Sequence, residues 1–226
     1  MHQWLLILLG TVTSVAVEAA EPAVSIPPPV VDASKTSGSL QTAVLSGGCF
    51  WGVQGVFEHV RGVRKVLAGY AGGEQSAAHY ETVSEGNTGH AESVQISFDP
   101  HEVSYGELLR VYFSVAHDPT QLNQQGPDIG TQYRSNIFYL NDEQKNIALA
   151  YIDQLNKAKA FSKPIVTRVD AYKGFYPAED YHQDFLIKNP RYPYIVFNDL
   201  PKIENLRQTL AEYYRAQAVT VTSASP

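Results

Sequence analysis

The sequence predicts an α+β domain, two layers thick, with a mixed sheet and extra helices towards its C-terminal end. Three observations carry this. The apolar period switches repeatedly between 2 and about 3.6 residues along the chain. The switches fall in the order β-α-β-β-α-β. A chain of 226 residues that is 44% hydrophobic and 11% aromatic also supplies one substantial core.

The elements follow in order. "TAVLS", Thr42 to Ser46, reads as a short apolar strand closed by Gly47 and Gly48. From Cys49 the apolar residues Val53, Val56, Phe57 and Val60 recur at i, i+3, i+4 and i+7, so a helix starts near the cysteine. "RKVLAGY" (Arg64–Tyr70) and "ESVQISF" (Glu92–Phe98) are the second and third strands. In "SYGELLRVYFSVAH", Ser104 and Glu107 form a capping box ahead of Leu108, Leu109, Tyr112 and Phe113, which share one helical face. "SNIFYL" closes the series as a fourth strand. This order is the split βαβ arrangement, a ferredoxin-like core. Beyond it the pattern predicts a helix over Asp142–Lys159, a strand at "PIVTRVDA", a helix around Glu179–Lys188 and a last helix opened by Pro201.

The ends read differently. Residues 1–19 resemble a signal peptide: the run from Trp4 to Val17 is uncharged, short for a bilayer span, and followed by the small residues Val17 and Ala19 at −3 and −1. The n-region, "MHQ", has no Lys or Arg, so a cleaved signal and an uncleaved membrane anchor both stay open. Either reading makes the protein exported, periplasmic or secreted. Residues 20–40, rich in Pro and Ser, read as a flexible linker. A single folded domain spans 41–215, and residues 216–226 read as a disordered tail.

Composition narrows the function. A net charge of −6 with no Lys/Arg cluster excludes a nucleic-acid partner and disfavours anionic membranes. The sequence holds one cysteine, Cys49. Exported chains use structural cysteines in pairs, so a lone one is either a reactive thiol or an inert apolar filler. At a strand-to-helix turn the helix dipole favours the thiolate, which predicts a thiol pKa lowered towards neutrality and an uncovered sulfur. Phe50 and Trp51 beside it are either core filling or the wall of an apolar pocket. In the third strand Val94, Ile96 and Phe98 share the core-facing parity with Glu92. If the strand includes Glu92, burial raises its pKa and makes it a proton donor; if the strand starts one residue later, Glu92 faces solvent. Tyr80 in "HYETV", and Asp128 and Tyr133 in "GPDIGTQYRS", are polar groups in turn-rich stretches. The histidines show no metal-ligand spacing, so no metal site is expected. "AEDYHQDF" reads as the acidic first turn of a helix with a solvated face.

Taken together, "GGCFWG", "GHAE", "DIGTQYRS" and "FYPAEDYHQDFLIKNP" resemble, in order, the motifs of the A-class peptide methionine sulfoxide reductases, over roughly Thr42 to Pro190. The resemblance implies that Cys49 attacks the sulfoxide sulfur, Phe50 and Trp51 receive the substrate methyl group, and Glu92 protonates the sulfoxide oxygen. It implies that Tyr80 and Tyr133 hold that oxygen and that Asp128 walls the pocket. Substrates would be oxidised methionine, free or in proteins, as the S epimer, with a sulfenic acid formed on Cys49 and no bound cofactor. Many family members carry a further cysteine after the "KNP" stretch; here "KNPRYPYIVFNDLPK" has none. An external thiol, from a thioredoxin-like protein or a small thiol, is therefore the expected reductant. Two rival readings are a cysteine hydrolase, with a histidine such as His90 as base, and a non-enzymatic redox sensor.

Overall fold

The computed structural model describes residues 21–35 and 38–221. The segment read as a signal peptide lies outside the described residues.

Strand β1 (Gln41–Ser46) leads through Gly47 and Gly48 into helix α1 (Phe50–Glu58), and β2 (Val63–Ala71) returns. A short helix α2 (Tyr80–Ser84) precedes β3 (Ala91–Phe98). Helix α3 (Tyr105–Val111) opens on the capping box expected from the sequence: the Glu107 amide donates to Ser104 Oγ and the Ser104 amide to Glu107 Oε2. It continues into a π-helical turn, Tyr112–Ala116. The two-residue strands β4 (Gln124–Gln125) and β5 (Asp128–Ile129) form a separate hairpin before β6 (Asn136–Tyr139). Helix α4 (Asp142–Lys157), strands β7 (Arg168–Ala171) and β8 (Phe175–Pro177), and helices α5 (Phe185–Lys188) and α6 (Leu200–Thr209) complete the chain.

The six-stranded sheet runs β7-β6-β1-β3-β2-β8. Strand β3 pairs antiparallel with both β1 and β2, so β1 and β2, joined by α1, run parallel on either side of it. Among the described residues only the β6–β7 pair is parallel, which makes the sheet mixed. Helices α1, α3 and α4 supply the apolar layer. Val53, Val56 and Phe57 of α1 and Leu108 and Leu109 of α3 are all at most 1% exposed. Burying side chains of this size stabilises the fold by about 1.5–3 kcal/mol each.

Four expectations are corrected here. Residues 21–33 of the supposed linker are a strap bound to the domain. Ile26 is 2% exposed, the Val24 amide donates to the Ser114 carbonyl, and Tyr151 Oη donates to the Pro27 carbonyl. The strap ends where Asp32 accepts from the Ser104 hydroxyl and, at 2.7 Å, from the Gly106 amide at the start of α3. The supposed tail is likewise docked as far as Val221: the Val219 amide donates to the Glu58 carbonyl and the Val221 amide to Asp184 Oδ1. The helix expected over Glu179–Lys188 is broken. A 3₁₀ turn, Asp180–His182, ends at Asp184, whose φ of 54° is left-handed, and only then does α5 begin. Finally, this stretch is not a solvated face: His182, Gln183 and Asp184 are buried. The Gln183 side chain bonds both the amide and the carbonyl of Ala68, as an added strand residue would.

Candidate active site

Cys49 is the N-cap of α1, with φ −54° and ψ 124°. The tight entry depends on Gly48, whose φ is 95°; a Cβ there would also come 2.6 Å from Gln125 Cγ. Because α1 has no acidic residue in its own first turn, its orphan amides need an acceptor from elsewhere. Glu92 of β3 provides it: the Phe50 amide donates to Glu92 Oε2 at 2.9 Å. The parity argument for Glu92 holds, since Glu92 is 4% exposed and Val94, Ile96 and Phe98 are fully buried.

The electrostatics differ from the expectation for the thiol. Burial pushes the Cys49 thiol well up, and the nearby Glu92, Asp199 and Asp128 carboxyls push it further. The helix start does not overcome this, so the resting sulfur is a protonated thiol. Nor is it uncovered: Cys49 is 9% exposed. The same desolvation raises Glu92 to about 8 against the pull of the Phe50 amide, with Asp128 and Asp199 adding to the rise. At neutral pH Glu92 is mostly a neutral acid. Burial likewise raises Tyr80 and Tyr133, and both lie within electrostatic reach of Glu92 and Cys49. Their hydroxyls stay protonated and able to donate.

Phe50 is 1% exposed and packs against Tyr70 and His182 at centroid distances of 5.8 and 5.0 Å. Trp51 is partly buried. It stacks on Phe185 at 3.9 Å and 12°, meets the edges of Tyr192 and Tyr194, and donates from Nε1 to His182 Nδ1 at 3.1 Å. Glu179 ties the same region together, accepting from Tyr70 Oη and from the Tyr80 amide. Asp128, raised by burial, accepts from the Tyr194 hydroxyl.

A cavity of about 550 Å³ reaches Cys49; its wall includes Asp128, Tyr194, Gln125, Lys202 and Glu21. Phe50, Trp51, Glu92, Tyr80 and Tyr133 are not in that wall and join Cys49 through the contacts above. Sequence reasoning missed Tyr194, Asp199, Lys202 and the structural roles of Glu179 and His182. Both ring nitrogens of His90, the base named for the hydrolase reading, are engaged, with the Gly73 amide and the Glu74 carbonyl.

A cysteine at a helix start beside a buried carboxylic acid and two protonated tyrosines can support acid-assisted thiol chemistry. The model of the family "Peptide methionine sulfoxide reductase" matches residues 41–214. A Mesorhizobium japonicum protein named peptide methionine sulfoxide reductase MsrA 2 is 62% identical over 84% of this chain and 98% of its own length. A Synechocystis protein of the same name is 53% identical over 85% and 92%. Among solved structures, methionine sulfoxide reductase A of Corynebacterium diphtheriae is 32% identical with a TM-score of 0.58, covering 77% of this chain and 88% of that one. The chain belongs to the peptide methionine sulfoxide reductase family.

Proposed function

We propose that the protein reduces methionine S-sulfoxide, free or in proteins, to methionine, using Cys49 as nucleophile, Glu92 as acid and an outside thiol as reductant. The observation that carries this is the buried, neutral Glu92 carboxyl bonded to the amide next to Cys49. A thiolate cannot readily expel unprotonated oxygen from sulfur. Glu92 therefore gives its proton to the sulfoxide oxygen as the S–O bond weakens, and recovers the proton that Cys49 releases on attack. Positioned acid catalysis of this kind contributes about 10²–10⁴-fold in rate. Tyr80 and Tyr133 donate to the same oxygen, and Phe50 and Trp51 form the apolar side that takes the substrate methyl group.

The net step moves one oxygen atom from the substrate sulfur to Cys49. The substrate sulfur gains two electrons, Cys49 loses two, and the products are methionine and a Cys49 sulfenic acid. With no second cysteine in the sequence, no internal disulfide can form. Two external thiols, from a thioredoxin-like protein or a small thiol, then return Cys49 to the thiol, releasing water and a disulfide. The segment at residues 1–19 supports export, and hence repair of oxidised proteins in the periplasm or outside the cell; cell fractionation with N-terminal sequencing tests this.

Intact-mass analysis after adding methionine S-sulfoxide without reductant tests the reaction. One equivalent of methionine and one added oxygen on Cys49 are expected. Continued turnover without reductant contradicts the scheme.

A further inference from the structure

Lys202 is a buried lysine whose place beneath the site the reaction above does not use. It projects from α6, its side chain is 8% exposed, and its Nζ lies 3.3 Å from Oδ1 of Asp199, which is fully buried. The pair sits against the first turn of α1: a Cβ on Gly52 would come 2.1 Å from Asp199 Oδ1 and 3.1 Å from Lys202 Nζ. Only a glycine at that position lets the ammonium approach so near the helix start. Lys202 and Cys49 also line the same cavity.

Isolated burial of a lysine is costly, and one counter-ion removes only part of that cost. A buried lysine under a nucleophile therefore calls for a reason. Around Cys49 stand Glu92 from β3, Asp128 from β5 and Asp199 before α6, all of which oppose an anion at sulfur, together with Tyr80, Tyr133 and Tyr194. Around Lys202 stand Asp199, Glu21 of the strap, Cys49 and His117. Burial works against the ammonium, but Asp199, Glu21 and Cys49 outweigh it and keep Lys202 charged. It is thus a buried cation facing a set of acids and lining the same cavity as Cys49.

We propose that Lys202 is a positioning residue that stabilises negative charge on Cys49, both the thiolate during attack and the sulfenate that waits for the external thiol. This rests on the reductase reading above and adds to it. The segment between Lys188 and Lys202 holds no cysteine to capture the oxidised sulfur. What it delivers to the site instead is this cation. Asp199 sets the balance: it holds Lys202 in place while offsetting part of its charge.

The two members of the pair should therefore move the thiol in opposite directions. The test is the rate of Cys49 alkylation by iodoacetamide from about pH 6 to about pH 10, which needs no sulfoxide. Methionine S-sulfoxide reduction by the unsubstituted protein is measured alongside, so failure of the reductase reading is seen separately. Lys202→Met is expected to slow alkylation at neutral pH by about tenfold, a shift of the profile by about one unit to higher pH. Asp199→Asn is expected to shift it to lower pH. A purely structural pair would lower the melting temperature of both variants and leave both profiles on that of the unsubstituted protein. That result overturns the proposal, as does a shift of both profiles in the same direction. Should Lys202→Met fail to fold, Lys202→Gln, which keeps a polar partner for Asp199, takes its place in the same comparison, and a profile unmoved from that of the unsubstituted protein overturns the proposal.

Discussion

Phe50 and Glu92 are joined by a hydrogen bond from the Phe50 amide to Glu92 Oε2, 2.9 Å long and buried. This bond fastens the start of α1 to the beginning of β3, so one carboxyl group accepts from the helix start and stands next to Cys49. Because the same group is desolvated, the proposed mechanism makes its protonation state control the reaction, and several outcomes follow from that and from the packing around it.

The rate of sulfoxide reduction should fall as pH rises through about 8. Burial raises Glu92 to about 8, so below that pH the acid is present and above it the proton is gone. A stopped-flow measurement of the first turnover across this range checks the limb. A rate that keeps rising well beyond it would show that the carboxyl is not the donor.

Trp51→Ala and Phe50→Ala should separate substrate binding from folding. Phe50 is 1% exposed, and its truncation should cost about 3–5 kcal/mol of stability, read by chemical denaturation. Trp51 is only partly buried, stacked on Phe185. Its loss should raise KM about tenfold or more, equivalent to about 1.4 kcal/mol of binding, with a smaller change in melting temperature.

Stability should decline as pH rises from about 5 to about 9, and Glu58 should account for much of the decline. Glu58 is fully buried, with its carboxyl group facing the buried carboxyl of Asp184. Burial first, then Asp184, raises it from 4.5 to about 9. Between those values the unfolded chain is ionised and the folded one protonated, so the folded state binds more protons and loses stability with rising pH. Melting curves of Glu58→Gln should be flatter across this window than those of the unsubstituted protein.

Ile26→Ala tests whether the N-terminal strap belongs to the domain. At 2% exposure its truncation should cost about 2–5 kcal/mol. A loose linker would give no measurable change in the denaturation midpoint.

The first three strands, the start of α1 and the inward aim of Glu92 were legible because each is encoded within a few residues, by period and by glycine placement. The thiol's raised pKa was not. Its causes, the covering of the sulfur and then Glu92, Asp199 and Asp128, come from segments far apart in the chain, while the local helix start argued the opposite way. Asp199 and Lys202 look in sequence like an exposed i, i+3 pair; only the packing of α6 on α1 buries them. The strap misled by composition, since prolines and serines mark linkers, yet Ile26 and the carbonyls of Pro27 and Pro28 fit the surface of α3 and α4. Asp184 broke an apparent helix through its left-handed backbone, which an aspartate adopts at low cost in a tight turn.

The most direct measurement compares the unsubstituted protein with Glu92→Gln in a single turnover on methionine S-sulfoxide near pH 7, with Cys49 alkylation as the control. The amide keeps an acceptor for the Phe50 N–H but has no acidic proton. Reduction should slow by about 10²–10⁴-fold while the cysteine stays open to alkylation. An undiminished rate of methionine formation would contradict the account.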